Sequence, residues 1–151
     1  LDLIRQAQQT QTPTILDAGS WHEGTSKLFD KVDYLVCSEK FACQYADNVQ
    51  TALEQLAEYA PAVVITLGEE GIIWQKGKES GALAAFSANI IDTTGAGDAF
   101  HGAFAAAVAQ GMNWLDILTY ASAAGTLCCT QLGARQGLPW REAHRRLSAL
   151  N

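Results

Sequence analysis

Between Pro61 and Gly68 the chain runs Ala62-Val63-Val64-Ile65-Thr66-Leu67, a nearly unbroken apolar segment rich in β-branched residues. A strand of this composition has no polar face to offer to water, so it belongs inside a sheet covered on both sides, as parallel sheets are. The surrounding pattern agrees. Short apolar runs at 14–17 and 34–37 alternate with helical patterns at 25–31, 39–45 and 48–59, the last carrying Leu53, Leu56 and Ala57 at helical spacing. Such alternation predicts an α/β fold, Rossmann-like, with a mostly parallel sheet and helices on both faces. Beyond Gly68, Ile72-Ile73-Trp74-Gln75, a polar turn at 76–81 and a run at 82–86 predict an antiparallel hairpin at the sheet edge.

Two long helices are expected next, at 97–110 and 114–132. The first is crowded with small residues (Ala99, Gly102, Ala103, Ala105, Ala106, Ala107, Ala109), which favour helix and permit close approach, so it is expected to lie buried against the sheet. Gly111 ends it, and the second presents Leu115, Leu118, Ala121 and Ala124 along one face. At the C-terminal end, Ala143, Leu147 and Leu150 face a core while Arg141, Arg145 and Arg146 form a solvated face. The opening residues 1–6 read as the middle or end of a helix.

A formal charge of −6 disfavours nucleic acid or an acidic membrane surface as partner, since both are held by Lys/Arg-rich faces. No apolar run approaches the ~20 residues that span a bilayer, and no targeting signal is visible. Cys37, Cys43, Cys128 and Cys129 form neither a CxxC nor a Cys/His metal spacing. Buried free thiols in a reducing, cytoplasmic compartment are the expected state.

Chemistry concentrates in Asp92-Thr93-Thr94-Gly95-Ala96-Gly97-Asp98-Ala99-Phe100. Glycines at 95 and 97 let the backbone adopt positive φ and come close to a ligand, while the unpaired N–H groups and dipole of the helix that follows favour an anion. Asp98 places a carboxylate beside that anion site, which suits a base acting on an attacking hydroxyl or a partner for a metal ion. The alternative is a first-turn acid that complements the helix dipole. A Walker A loop is excluded because no GxxxxGK[ST] occurs. The dinucleotide fingerprint fails because position 100 is Phe and Asp116 lies in a helical stretch.

The run DTTGAGDAFHGAF at 92–104 resembles the signature of the ribokinase or PfkB family of carbohydrate and nucleoside kinases. Thr66-Leu67-Gly68-Glu69-Glu70-Gly71 is similar to that family's strand-ending TLGxxG segment, and Gly133-Ala134 with Pro139 resembles its late landmarks. The resemblance implies a ribokinase-like fold and ATP-dependent phosphorylation of a sugar hydroxyl. Asp98 would be the catalytic base, Gly95, Ala96 and Gly97 the anion hole, and Thr66, Gly68 and Gly71 part of the nucleotide site. Members run to roughly twice this length. The resemblance therefore implies that residues 1–151 are the C-terminal, nucleotide-binding portion of a single ribokinase-like domain, without the N-terminal half that supplies most sugar contacts and a small β lid. The fragment alone is then not expected to be a competent enzyme.

The family's metal-related N-E-x-E-A pattern is matched by Ser38-Glu39-Lys40-Phe41-Ala42, leaving Glu39 as the acid toward Mg²⁺, or simply a first-turn helix acid. A Mg²⁺ bound mostly by ATP oxygens is the expectation. Where many relatives resemble D-x-N-x-R, Asp17-Ala18-Gly19-Ser20-Trp21 departs at Gly19 and Trp21. Several relatives hold K⁺ with backbone oxygens, which would implicate Asp92, Thr94, Cys128 and Gly133; Asp92 and Thr94 also suit a capped turn. His22 and His101 read as surface and structural, and Trp21, Trp74, Trp114 and Trp140 as packing residues. Besides a sugar kinase, the sequence leaves open a nucleoside kinase, an inactive nucleotide-binding regulator, and a scaffold half that pairs with another copy as a homodimer.

Overall fold

The computed structural model describes residues 2–138. Pro139, Trp140 and the arginine-bearing stretch beyond them lie outside the described residues. The chain divides into two compact units, Leu1–Ala82 and Leu83–Asn151.

The first unit opens with α1 (Asp2–Gln9) and is built on a five-stranded sheet in sequence order. β1 (Ile15–Ala18), β2 (Tyr34–Ser38) and β3 (Ala62–Thr66) are parallel, with Ile15 opposite Tyr34 and Tyr34 opposite Ala62. β4 (Ile72–Lys76) runs antiparallel to β3, and β5 (Glu79–Leu83) lies beside β4. This is the mixed α/β sheet expected, with the strong 62–67 segment third in the order. Alternate residues of β2 and β3 point to opposite faces, and both sets are buried. Leu35, Cys37, Val63 and Ile65 join one core with Phe29, α2 (Glu39–Tyr45) and α3 (Val49–Leu56), while Val36 and Val64 on the other face are equally shielded. Continuous burial on both faces explains why these strands carry no polar alternation.

The helices of this unit begin where the sequence provides caps. Ser38 Oγ accepts the Phe41 N–H at 3.1 Å to start α2, and Asn48 Oδ1 accepts the Thr51 N–H at 2.9 Å to start α3. Each such cap contributes about 1 kcal/mol. The stretch Thr25–Lys31 is a 3-10 helix.

The hairpin departs from expectation. Its turn is Gly77-Lys78 rather than 76–81, with Gly77 at φ +59°, and the second strand begins at Glu79. Glu79 and Ser80 are polar because β5 is an edge strand exposed to water. Gly81 is a strand residue lying on a ring: a Cβ there would stand 2.8 Å from Trp74 Cζ2.

The second unit contains α4 (Ala96–Ala109), α5 (Trp114–Cys128) and the short α6 (Ala134–Gly137). α4 and α5 pack together, with Phe100 and Phe104 stacked at 6.2 Å and Trp114 edge-on to Phe104 at 6.1 Å. Gly125 on α5 permits close approach, since a Cβ there would lie 3.4 Å from the Ala96 carbonyl oxygen. Burial on α4 falls on Ala99, Phe100, Phe104 and Ala107, whereas Gly102, Ala105, Ala106 and Ala109 are exposed. The burial expected of this helix is thus carried by one face, with the small residues of the other exposed. Likewise, Leu115 is exposed, and Ile117, Leu118, Ala121 and Ala124 form the inner stripe of α5. That helix ends at Cys128 instead of 132, and the Cys129 carbonyl just past its end accepts the N–H groups of Ile91 at 2.8 Å and Asp92 at 3.2 Å. No helix among the described residues is long and apolar enough to cross a membrane.

Candidate active site

In the second unit the loop 92–98 turns sharply into α4. Gly95, the residue capping α4, has φ +82° and ψ 3°, a left-handed conformation that side chains resist. Space forbids a side chain too, because a Cβ at Gly95 would stand 2.6 Å from the Ala134 Cβ. Gly97 differs: it lies within the first turn of α4, its φ is not positive, and a Cβ there would meet nothing within 4 Å. Of the two glycines expected to use positive φ, only Gly95 does. The other leaves open space in front of the backbone.

No side chain caps α4. The Ala96 N–H is engaged by the Thr93 carbonyl at 3.2 Å, and the Ala99 N–H by the Gly95 carbonyl at 2.9 Å. The N–H groups of Gly97 and Asp98 find no backbone acceptor among the described residues. Unpaired amides at a helix N-terminus form an anion-binding site. The Asp98 side chain is exposed beside them, with no hydrogen bond or ion pair among the described residues. His101, one turn on, is bonded through Nδ1 to the Gly97 carbonyl at 2.8 Å. A carbonyl can only accept, so Nδ1 carries the proton and His101 ties down the helix start.

Asp92 joins two segments of this unit. Its Oδ1 accepts the Thr94 N–H at 2.9 Å and its Oδ2 accepts the Gly133 N–H at 2.8 Å. These bonds, that from Thr94 foremost, hold the Asp92 carboxyl below its ordinary range. Cys128 Sγ sits 3.8 Å from both the Thr94 and Ala134 carbonyl oxygens. Burial and the nearby Asp92 and Asp98 push its thiol pKa up, so it remains a neutral thiol. Asp92, Thr94, Cys128 and Gly133 are thus drawn together. Both Asp92 oxygens accept amides, and the Thr94 and Ala134 main-chain carbonyls meet at the Cys128 thiol.

In the first unit, the carboxyl ends of the three parallel strands align, with Ala18 opposite Cys37 and Ser38 opposite Thr66. Ligand sites in open α/β sheets lie at this edge. Thr66 ends β3, its Oγ1 donating to the Cys37 carbonyl at 3.3 Å. Gly68 (φ +59°) and Gly71 (φ +96°) bracket a single 3-10 turn closed by Leu67 N–H to the Gly71 carbonyl at 2.8 Å. Gly68 is exposed and Gly71 buried. Cys37 lies deep below this edge, its pKa pushed up to about 12 by burial and then by Asp17.

Glu39 is the first residue of α2 and is exposed. Ser38 Oγ is already committed, donating to the Gly19 carbonyl at 2.8 Å and accepting the Phe41 N–H. Phe41 is fully buried among Trp21, Phe29 and Tyr45. No three His, Cys, Asp or Glu side chains converge among the described residues. A divalent ion seeks about six oxygens with one or two carboxylates. Glu39 would offer a single carboxylate to a Mg²⁺ completed by water and nucleotide oxygens.

Several residues that shape these sites escape a reading of motifs. Ala134 walls Gly95, Gly125 admits the Ala96 carbonyl, and Gln44 Oε1 accepts the Trp21 N–H at 2.8 Å. All three act through space across distant sequence, and only Ala134 carried a signal, as part of the late Gly-Ala pair.

Comparison with known proteins completes the description. Residues 1–141 match the family described as pfkB family carbohydrate kinase. The chain is 33% identical to the ribokinase of Bacillus subtilis over 140 residues, covering 93% of this chain and 47% of that protein. Among solved structures, a ribokinase-like protein of Agrobacterium tumefaciens superposes with a TM-score of 0.92 at 30% identity, over 99% of this chain and 51% of that one. Arabidopsis thaliana ribokinase, complexed with ribose and ATP, gives 0.84 at 26% identity, over 97% and 50%. The chain spans about half the length of such relatives.

Proposed function

The chain belongs to the pfkB family of carbohydrate kinases, and we propose that the full-length protein transfers the γ-phosphoryl group of ATP to a hydroxyl of a sugar. ATP enters as its Mg²⁺ complex, so the metal is part of the substrate. The Gly97 and Asp98 amides donate to oxygens of the transferring phosphoryl group, the place where charge develops. Asp98 takes the proton of the attacking hydroxyl as the new oxygen–phosphorus bond forms and the bond to the β-phosphate oxygen breaks, releasing ADP.

The observation that carries this reading is the start of α4: an exposed carboxylate with no hydrogen-bonding partner, beside two amides with no acceptor, among the described residues. Thr66, Gly68 and Gly71 are proposed to line the nucleotide, in keeping with their place at the carboxyl end of β3. The ribose and ATP bound by the Arabidopsis relative favour a sugar as acceptor. Residues 1–151 form the C-terminal portion of the catalytic domain on this reading, inactive alone, and the four free thiols accord with a cytoplasmic setting.

Asp98→Asn in the full-length protein is expected to lower kcat by about 10³-fold or more while leaving ATP affinity nearly unchanged. Turnover equal to wild type would overturn the base assignment. We also propose that K⁺ is held near Asp92, Thr94, Cys128 and Gly133 by main-chain oxygens. Exchanging K⁺ for a bulky organic cation at constant ionic strength should then slow turnover, and an unchanged rate would remove the ion from the site.

A further inference from the structure

The turn into α4 is set among negative charge. Residues 83–138 carry three acids, Asp92, Asp98 and Asp116, and one cation of fixed charge, Arg135. Asp92 and Asp98 bracket the turn, and the charge of both bears on the Cys128 thiol beside it. A phosphoryl group whose charge spreads over its oxygens between two carboxylates is stabilised by a cation as well as by amides.

Arg135 is placed to supply that cation. Its neighbour Ala134 walls the turn, since a Cβ at Gly95 would stand 3.2 Å from the Ala134 Cα. Arg135 follows one chain step of about 3.8 Å on, so its Cα lies within about 7 Å of the Gly95 turn, inside the span of an extended arginine side chain. The backbone beneath it is held on three sides. The Gly133 N–H donates to Asp92 Oδ2 at 2.8 Å, the Ala134 carbonyl lies 3.8 Å from Cys128 Sγ, and a Cβ at Gly137 would collide with the Cys128 carbonyl. Ala134 and Gly137, three residues apart, therefore face inward, while Arg135 and Gln136 are exposed. Arg135 makes no ion pair among the described residues. With four residues, α6 offers little dipole for that charge to complement.

We propose that Arg135 is a further catalytic residue, its guanidinium donating to oxygens of the transferring phosphoryl group alongside the Gly97 and Asp98 amides. The proposal rests on the kinase reading. Asp98 takes the proton, and Arg135 offsets the negative charge that Asp92 and Asp98 place around the reaction. Its planar fork can hold two phosphoryl oxygens at once, which a lysine cannot. The test is steady-state kinetics on the full-length protein with ATP and a panel of pentoses and hexoses, comparing wild type with Arg135→Ala, Arg135→Lys and Gln136→Ala. Arg135→Ala should lower kcat by about 10²-fold, with the KM for ATP and the melting temperature nearly unchanged. Arg135→Lys should recover part of that loss, added guanidinium ion should partly restore Arg135→Ala, and Gln136→Ala should match wild type. If wild type phosphorylates one of these sugars and Arg135→Ala does so at the same kcat, the proposal is overturned and the kinase reading stands. A raised KM for ATP with kcat intact would assign the guanidinium to the nucleotide, and an equal loss in Gln136→Ala would trace the effect to the fold of α6; either result also overturns it. Wild-type protein that transfers no phosphoryl group from ATP to any of the panel would overturn the kinase reading, and this proposal with it.

Discussion

At the end of β3, Gly68 and Gly71 stand in a turn in which the Leu67, Glu70 and Gly71 N–H groups each donate to a carbonyl within the same five residues, while those of Gly68 and Glu69 have no backbone acceptor among the described residues. At the start of α4, Gly95 makes an equally sharp turn but the chain then runs straight into a helix, leaving the Gly97 and Asp98 amides with no backbone acceptor among the described residues. Both regions use a glycine at positive φ. What separates them is the element each turn feeds. A three-residue 3-10 turn carries little dipole, whereas a turn that feeds a 14-residue helix presents its donors at the positive end of one. The candidate chemistry therefore belongs to the second region, where the exposed carboxylate of Asp98 stands beside the amides.

Substituting alanine at chosen glycines puts this contrast to work. Gly95→Ala should have the largest effect. Left-handed φ costs roughly 1–2 kcal/mol for a residue with a Cβ, and forcing that carbon against the Ala134 Cβ adds an overpacking cost of about 1–3 kcal/mol. Denaturant unfolding of the full-length protein should record a loss of a few kcal/mol, with turnover largely abolished because the amides move. A variant as stable and active as wild type would show that the turn tolerates a side chain and would break the contrast at its strongest point.

Much of this architecture was legible beforehand because its causes are local. The β-branched run at 62–67 dictated a doubly covered strand, the alternation of short apolar runs with helical patterns set the order from β1 to β3, and the glycine loop marked the sharp turn into α4. The misreadings have a common source: they depended on what lies across space. Gly81 reads as a turn residue until Trp74 is seen beneath it, and Gly97 as a second left-handed glycine until the helix is seen to include it. The small residues of α4 were read as marking a buried helix, yet Gly102, Ala105, Ala106 and Ala109 are exposed because the large Phe100 and Phe104 choose the face that meets α5. The aromatic cluster at Trp21 and Phe41 was visible only as two separate departures, since nothing in the sequence says that positions 21 and 41 touch.

The contrast is sharpened by a matched pair of substitutions, Gly97→Ala and Gly68→Ala, each adding one methyl group where nothing lies within 4 Å. At Gly97 the backbone is helical, so alanine should leave the fold as stable or firmer by up to ~1 kcal/mol. The methyl nevertheless fills the space before the free amides. A misplacement of about 1 Å at a reacting group costs on the order of 10²-fold, and kcat/KM should fall by about that factor in a protein that melts no lower than wild type. At Gly68 the signs reverse. With φ at +59°, alanine should cost about 1 kcal/mol, a drop of a few °C in Tm, while turnover falls less than in Gly97→Ala because this turn feeds no long helix. Melting curves and steady-state kinetics on the two variants decide it: equal losses of activity would mean that the Gly68 turn matters to the chemistry as much as the start of α4, and the contrast would have to be given up.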